Sequence, residues 1–166
     1  MSSLTPESFT AAVITISDSC AQGDRVDVSG PAVADVLRTK KKFYVVGTEI
    51  VADNQDTIEK ALLHWSREAR LVVTTGGTGI AARDVTPEAT QQVCERRLDG
   101  ISEHMRSEGS KRTPFAVLSR GICGVHGSSI ILNLPGSPTG AVESLQSVVD
   151  LLPHALDLLS GRTEHH

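Results

Sequence analysis

The sequence predicts an α/β protein with a mostly parallel central sheet, helices on both faces and one antiparallel strand pair. Three observations carry this. Short apolar runs rich in β-branched residues, at 11–17, 43–51 and 71–75, alternate with segments whose apolar residues recur every three or four positions. Polar or glycine-rich stretches punctuate each switch between the two periods. Late in the chain, two apolar runs at 122–126 and 129–134 are separated only by Gly127 and Ser128, the pattern of a hairpin.

Taken in order, residues 1–10 are polar and predict a flexible start. The run AAVITIS at 11–17 predicts a buried strand, and DSCAQGDRVDV at 18–28 a loop. Ser29-Gly30-Pro31 opens a helix, with Pro31 where a missing N–H costs nothing and Val33, Val36 and Leu37 on its apolar face. Lys40, Lys41 and Lys42 follow as a solvated, dipole-favoured helix end rather than a binding patch. FYVVGTEIV at 43–51 is the second strand. After Asp53 comes a helix with Ile58, Ala61, Leu62, Trp65 and Ala69 on one face. LVVTT at 71–75 is the third strand, and 76–85 a glycine-rich loop. Thr86 is the expected N-cap of the next helix, with Pro87 in its first turn. Cys94, Leu98, Ile101 and Met105 continue that face, and Gly100 is expected to divide it into two helices. Residues 113–120 fit neither period. The turn Pro135-Gly136-Ser137-Pro138 leads into one long final helix with Val142, Leu145, Val149, Leu152, Leu156 and Leu159 inward. Residues 11–160 thus predict a single domain, and 161–166 a flexible tail.

The chain has 166 residues and a net charge of −4, with 3% aromatic residues. Nucleic-acid binding through bulk positive charge or aromatic stacking is therefore not expected. No basic start precedes an apolar run, and no stretch of about 18 apolar residues occurs, so neither a signal peptide nor a membrane span is predicted. Cys20, Cys94 and Cys123 are odd in number and include no CxxC pair. They suit a reducing cytoplasm better than a disulfide framework or a zinc site. His64, His104, His126 and His154 show no mutual ligand spacing.

Ligands of such sheets bind beyond the carboxyl ends of the strands. The sharpest feature there is Thr74-Thr75-Gly76-Gly77-Thr78-Gly79. Glycines let backbone N–H groups approach an anion closely, and threonines add hydroxyl donors. It lacks the Gly-Lys-Ser/Thr ending of a Walker loop. Gly77, Gly79 and Ala82 do form G-x-G-x-x-A, but Thr86-Pro87 starts the helix too late for a dinucleotide fingerprint, and Asp99 lies in a helical pattern rather than at a strand end. Asp53 alone reads as an N-cap and Asp84 alone as a loop carboxylate. Together they put two carboxylates on one rim beside a phosphate loop, an arrangement that calls for a divalent cation such as magnesium between them and the phosphates. Ser17 and Asp18 end the first strand and read equally as a turn or a rim site. Gly136 and Ser137 sit at a helix start, a natural anion site.

These residues resemble the MoaB/Mog family of molybdenum-cofactor biosynthesis proteins, the group related to the gephyrin G domain and plant molybdopterin adenylyltransferase. The resemblance spans residues 11–160. It is carried by ITISD (14–18), Ser29-Gly30-Pro31, TTGGTG (74–79), RDVTPEAT (83–90), TPFAVLSRG (113–121) and GSSIILNLPGSP (127–138). It implies a three-layer α/β/α sandwich assembled as a trimer or a hexamer. It also implies transfer of AMP from Mg-ATP to the terminal phosphate of molybdopterin, with release of pyrophosphate and delivery of the product to a molybdenum insertase. Asp53 and Asp84 match the family's functional aspartates and are the expected catalytic and magnesium-binding residues. Thr75, Gly76, Gly77, Thr78 and Gly79 match the glycine loop, and Pro135, Gly136 and Ser137 the NLPGSP turn. Ser17, Asp18 and Ser128 are weaker expected substrate contacts. A catalytically silent molybdopterin-binding or scaffolding module is the alternative within the same family.

Overall fold

In the computed structural model, which describes residues 8–161, β1 (Phe9–Ile16), β2 (Phe43–Val51), β3 (Leu71–Thr75), β4 (Arg96–Arg97), β5 (Cys123–His126) and β6 (Ser129–Leu134) form one sheet. Its order is β2-β1-β3-β6-β5-β4. The pairs β1–β2, β1–β3 and β3–β6 are parallel; β5 runs antiparallel to β6, and the two-residue β4 antiparallel to β5. The expected mostly parallel sheet with a late hairpin is therefore present, and the hairpin supplies the antiparallel side.

Every residue of β3 and β6 is buried, as is β1 from Ala11 onward. Strands covered on both faces need no polar alternation, which is why the sequence shows them as continuous apolar runs. Successive side chains nonetheless divide between two cores. Val13, Leu71, Val73, Ile130 and Leu132 face one side, packed with Leu37 of α2 (Ser29–Thr39), Met105 of α5 (Asp99–Ser110), Leu145 of α6 (Pro138–Val148) and Leu152 and Leu156 of α7 (Leu152–Leu159). Ile14, Val72 and Ile131 face the other, against Ile58 and Leu62 of α3 (Gln55–Glu68) and Ala89 of α4 (Thr86–Val93).

Several local expectations are corrected. β1 begins at Phe9, within the stretch expected to be flexible; residues 1–7 and 162–166, which hold the rest of that stretch and nearly all of the expected tail, lie outside the described residues. The loop after β1 contains a one-turn helix, α1 (Asp18–Ala21), capped by Ser17. Val85, not Thr86, is the N-cap of α4. The break after α4 falls at Cys94–Leu98, not at Gly100, because residues 96–97 pair with β5. Residues 114–118 form a 3-10 turn whose start is capped by Thr113. The expected long last helix is two helices joined by a 3-10 turn at Val149–Leu151, with Pro153 in the first turn of α7, where its missing N–H is tolerated.

The chain leaves β1 toward β2 on one side of the sheet and places β3 on the other. Loops from the carboxyl ends of β1 and β3 therefore diverge and open a crevice. Register aligns Ile16 with Val51, Thr15 with Thr75, and Thr75 with Leu134, so four strand ends share one rim.

Candidate functional site

Asp53 follows β2 but does not cap α3. Asn54 does, its Oδ1 accepting from the Thr57 N–H at 3.0 Å. Asp53 is thereby free to face β1. The Asp18 N–H donates to Asp53 Oδ2 at 3.0 Å and the Asp53 N–H to Asp18 Oδ1 at 2.9 Å, a reciprocal clasp between two strand ends. Arg83 pairs with the outer oxygen of Asp18. Partial burial raises the pKa of Asp53 above its ordinary value. The nearby carboxylates of Asp18 and Asp84 act in the same direction, while the Asp18 N–H and Arg83 oppose it.

The glycine loop crosses the end of β1. Gly76 and Gly77 have φ of 104° and 70°, where L side chains are disfavoured. A Cβ on Gly76 would run into the Ile16 carbonyl, and one on Gly77 into Thr86 Oγ1. Thr86 is buried because it braces the loop: its hydroxyl donates to the Gly76 carbonyl at 2.9 Å and its N–H to the Gly77 carbonyl at 3.2 Å. The Gly76 N–H is itself taken, donating to the Leu134 carbonyl at 3.1 Å. Among the described residues, the N–H groups of Gly77, Thr78 and Gly79 meet no protein acceptor, which leaves them for an anion.

Asp84 lies over the far end of this loop. Its Oδ2 accepts from the Ala81 N–H at 3.0 Å and would be 2.8 Å from a Cβ on Gly79. Asp53 Oδ1 would be 3.2 Å from a Cβ on Gly77. The two carboxylates thus flank the loop, one at each end. Among the described residues, no group of three or more His, Cys, Asp or Glu side chains is arranged to hold a metal ion. Two carboxylates with room for phosphate oxygens suit magnesium, which takes few protein ligands.

Two clefts meet at this point. One, of about 560 Å³, is walled by Ile80, Arg112, Phe115 and Leu118. The other, of about 480 Å³, is more polar and includes Thr15, Ser17, Asp27, Asp53 and Thr75. Gly77, Asp84, Gly136 and Ser137 line both. Each volume falls in the range of small-molecule sites. Ser137 caps α6, its Oγ accepting from the Gly140 N–H, so the helix N-terminus opens onto the shared edge.

The expected residues therefore converge, with exceptions. Ser128 is exposed in the β5–β6 turn, at the amino end of β6 and so at the opposite edge of the sheet. A hairpin turn cannot lie on the rim formed by the carboxyl end of its own second strand. Thr75 borders the polar cleft, but its hydroxyl donates to the Pro135 carbonyl at 2.6 Å and so shapes the NLPGSP turn. Thr78 is buried and lines the apolar-walled cleft. Sequence reasoning missed Asp27, whose carboxylate accepts from Thr15 Oγ1 at 2.7 Å and the Gly30 N–H at 3.0 Å, although the loop that holds it is on the rim. It also missed the wall built by Arg112, Phe115 and Leu118; the TPFAVLSRG segment was the signal for it. Among the described residues the histidines line neither cleft: His126 faces the Val93 carbonyl and His64 the edge of Trp65.

Residues 12–154 match the family described as "Probable molybdopterin binding domain". The chain is 45% identical over 156 residues to the molybdenum cofactor synthesis protein cinnamon of Drosophila melanogaster, covering 92% of this chain but only 26% of that protein. It is 44% identical over 155 residues to molybdopterin adenylyltransferase of Helicobacter pylori, covering 90% of this chain and 86% of that one. The molybdopterin biosynthesis enzyme MoaB of Thermus thermophilus superimposes with a TM-score of 0.86 at 45% identity, covering 92% of this chain and 97% of that one.

Proposed function

Because the chain belongs to this molybdopterin-binding domain family, we propose that it is a molybdopterin adenylyltransferase that moves AMP from ATP onto the terminal phosphate of molybdopterin in molybdenum-cofactor biosynthesis. The observation that carries this is the open-amide loop at Gly77–Gly79, flanked by Asp53 and Asp84 where two clefts meet. Each substrate joins a planar heterocycle to phosphate. One cleft for each brings both phosphates to the shared edge, which is what the transfer requires.

The chemistry needs little from a protein base. The nucleophile is a phosphate monoester whose second pKa is about 6, so it is already ionised at neutral pH. One of its oxygens bonds to the α-phosphorus of ATP, the bond from that phosphorus to the α–β bridging oxygen breaks, and pyrophosphate departs with the electron pair. The obstacle is charge. The amides of Gly77, Thr78 and Gly79 and the N-terminus of α6 are the chain's own donors to the phosphates. Asp53 and Asp84 are the residues that would hold magnesium, which when bound neutralises phosphate charge. The same reading includes an assembly of identical subunits, a trimer or a hexamer, and an insertase that receives the product. The exposed Val26, Phe115, Val117 and Leu151 offer apolar surface for such contacts. The free thiols of Cys20, Cys94 and Cys123 support a cytoplasmic location.

Asp84→Asn tests the proposal by keeping shape and removing a charge. Pyrophosphate release from ATP in the presence of molybdopterin should fall by about 10²-fold or more, the size of losing one major electrostatic element. Wild-type protein that binds molybdopterin yet releases no pyrophosphate would be the silent binding module instead.

A further inference from the structure

Arg120, next to last in the TPFAVLSRG segment, lies outside both clefts, yet four of its five side-chain N–H groups are committed around the loop that forms them. Nε donates to the Gly79 carbonyl at 2.8 Å, and one terminal nitrogen to the Asp84 carbonyl at 2.8 Å. Both terminal nitrogens also reach Glu88 of α4, at 2.6 and 3.2 Å. Its backbone N–H donates to the Thr78 carbonyl at 2.8 Å. One residue therefore grips the loop at Thr78, Gly79 and Asp84 and ties it to the first turn of the following helix. The fork-shaped guanidinium can span these partners at once, whereas an ammonium is a single point of contact.

We infer that Arg120 is a positioning residue for the reaction proposed above: held by Glu88, it fixes the Gly79–Asp84 segment so that the open amides and the Asp84 carboxylate present one geometry to phosphate. It holds this segment by backbone carbonyls, which leaves the loop's N–H groups and the Asp84 side chain to meet the ligand. Arg120 and Glu88 are both partly exposed, at 37% and 45% for their side chains. A pair this wet adds little to global stability. Its consequence lies instead in local order.

The experiment has two arms, so that the clasp and the activity it serves fail separately. The first uses no substrate. Arg120→Gln and Arg120→Lys are compared with wild type by amide hydrogen exchange and thermal unfolding. Exchange at the Ala81 and Asp84 amides, the ones hydrogen-bonded within this segment, should speed up by about tenfold or more in both variants as local opening becomes easier. The melting temperature should stay within about 4 °C of wild type. Unchanged exchange overturns the inference whatever the protein's activity. The second arm measures pyrophosphate release. Arg120→Gln should lower kcat by about 10²-fold, as small misplacements of reacting groups do, with a smaller change in KM, and Arg120→Lys should not rescue it. Glu88→Gln should lower kcat less, and its effect should vanish in the Arg120→Gln background, because Glu88 acts only through Arg120. Rescue by lysine, or additive losses in the double variant, would show that Arg120 supplies charge and not position. Absence of wild-type activity would overturn the proposed reaction and the role of Arg120 in it, while the exchange rates would still decide whether the clasp orders the loop.

Discussion

Gly79→Ala crowds the Asp84 carboxylate from the loop residue that also borders the apolar cleft. Gly79 is outside the left-handed region, so alanine fits its backbone without strain. The new methyl group would lie 2.8 Å from Asp84 Oδ2 and 3.6 Å from its Cγ, and no other atom outside its own chain neighbours comes within 4 Å. Restoring ordinary contact requires the carboxylate oxygen, which now accepts from the Ala81 N–H, to retreat by about 0.6 Å. The hydrogen bond at risk is exposed and adds at most about 1 kcal/mol. Alanine regains a similar amount, about 0.4–1 kcal/mol, by restricting the unfolded chain. Stability should thus be nearly unchanged, with a melting temperature within about 3 °C of wild type. Activity should not be. Displacement on this scale of a group that must meet the phosphates costs on the order of 10²-fold in kcat/KM. Steady-state pyrophosphate release, with a melting curve on the same preparation, decides the matter. A folded Gly79→Ala protein within about threefold of wild-type kcat/KM would refute a role for Asp84 that depends on its position.

Two further outcomes follow from the same geometry. Gly77→Ala should destabilise the fold as well as weaken ligand binding. A positive φ costs about 1–2 kcal/mol for an L residue, and pushing Thr86 off the Gly76 carbonyl about 1–3 kcal/mol more, so thermal unfolding should shift down by roughly 5–15 °C; an unshifted curve would mean that Thr86 does not brace the loop. Asp53→Asn, measured in magnesium-free buffer, should melt no lower than wild type at pH 7 although it loses activity. A carboxyl whose folded pKa is raised binds more protons folded than unfolded, so it costs stability as pH rises above the ordinary value of 3.8. Any advantage of the asparagine variant should accordingly disappear on acidification below that value, and an advantage that grew there would reverse the assigned direction.

The sequence by itself determined five of the six strands and the burial of β1, β3 and β6. Runs such as LVVTT at 71–75 have no polar face, and only a strand covered on both sides tolerates that. It also determined where chemistry would gather, because glycines and carboxylates after strand ends must lie on one rim once the strands are parallel. Local signals failed where a residue's partner is distant in the chain. Asp53 resembles an N-cap until β1 brings Asp18 beside it and Asn54 takes the capping role. Thr86 resembles a cap until the returning glycine loop claims its hydroxyl. Ser128 resembles a site residue by adjacency to a conspicuous motif, yet one strand length carries it to the far edge of the sheet. The wall of the apolar cleft and the grip of Arg120 on Gly79, Asp84 and Glu88 were decided by tertiary structure. They join residues up to 41 positions apart, and no periodicity or spacing encodes a contact that exists only after the sheet has assembled.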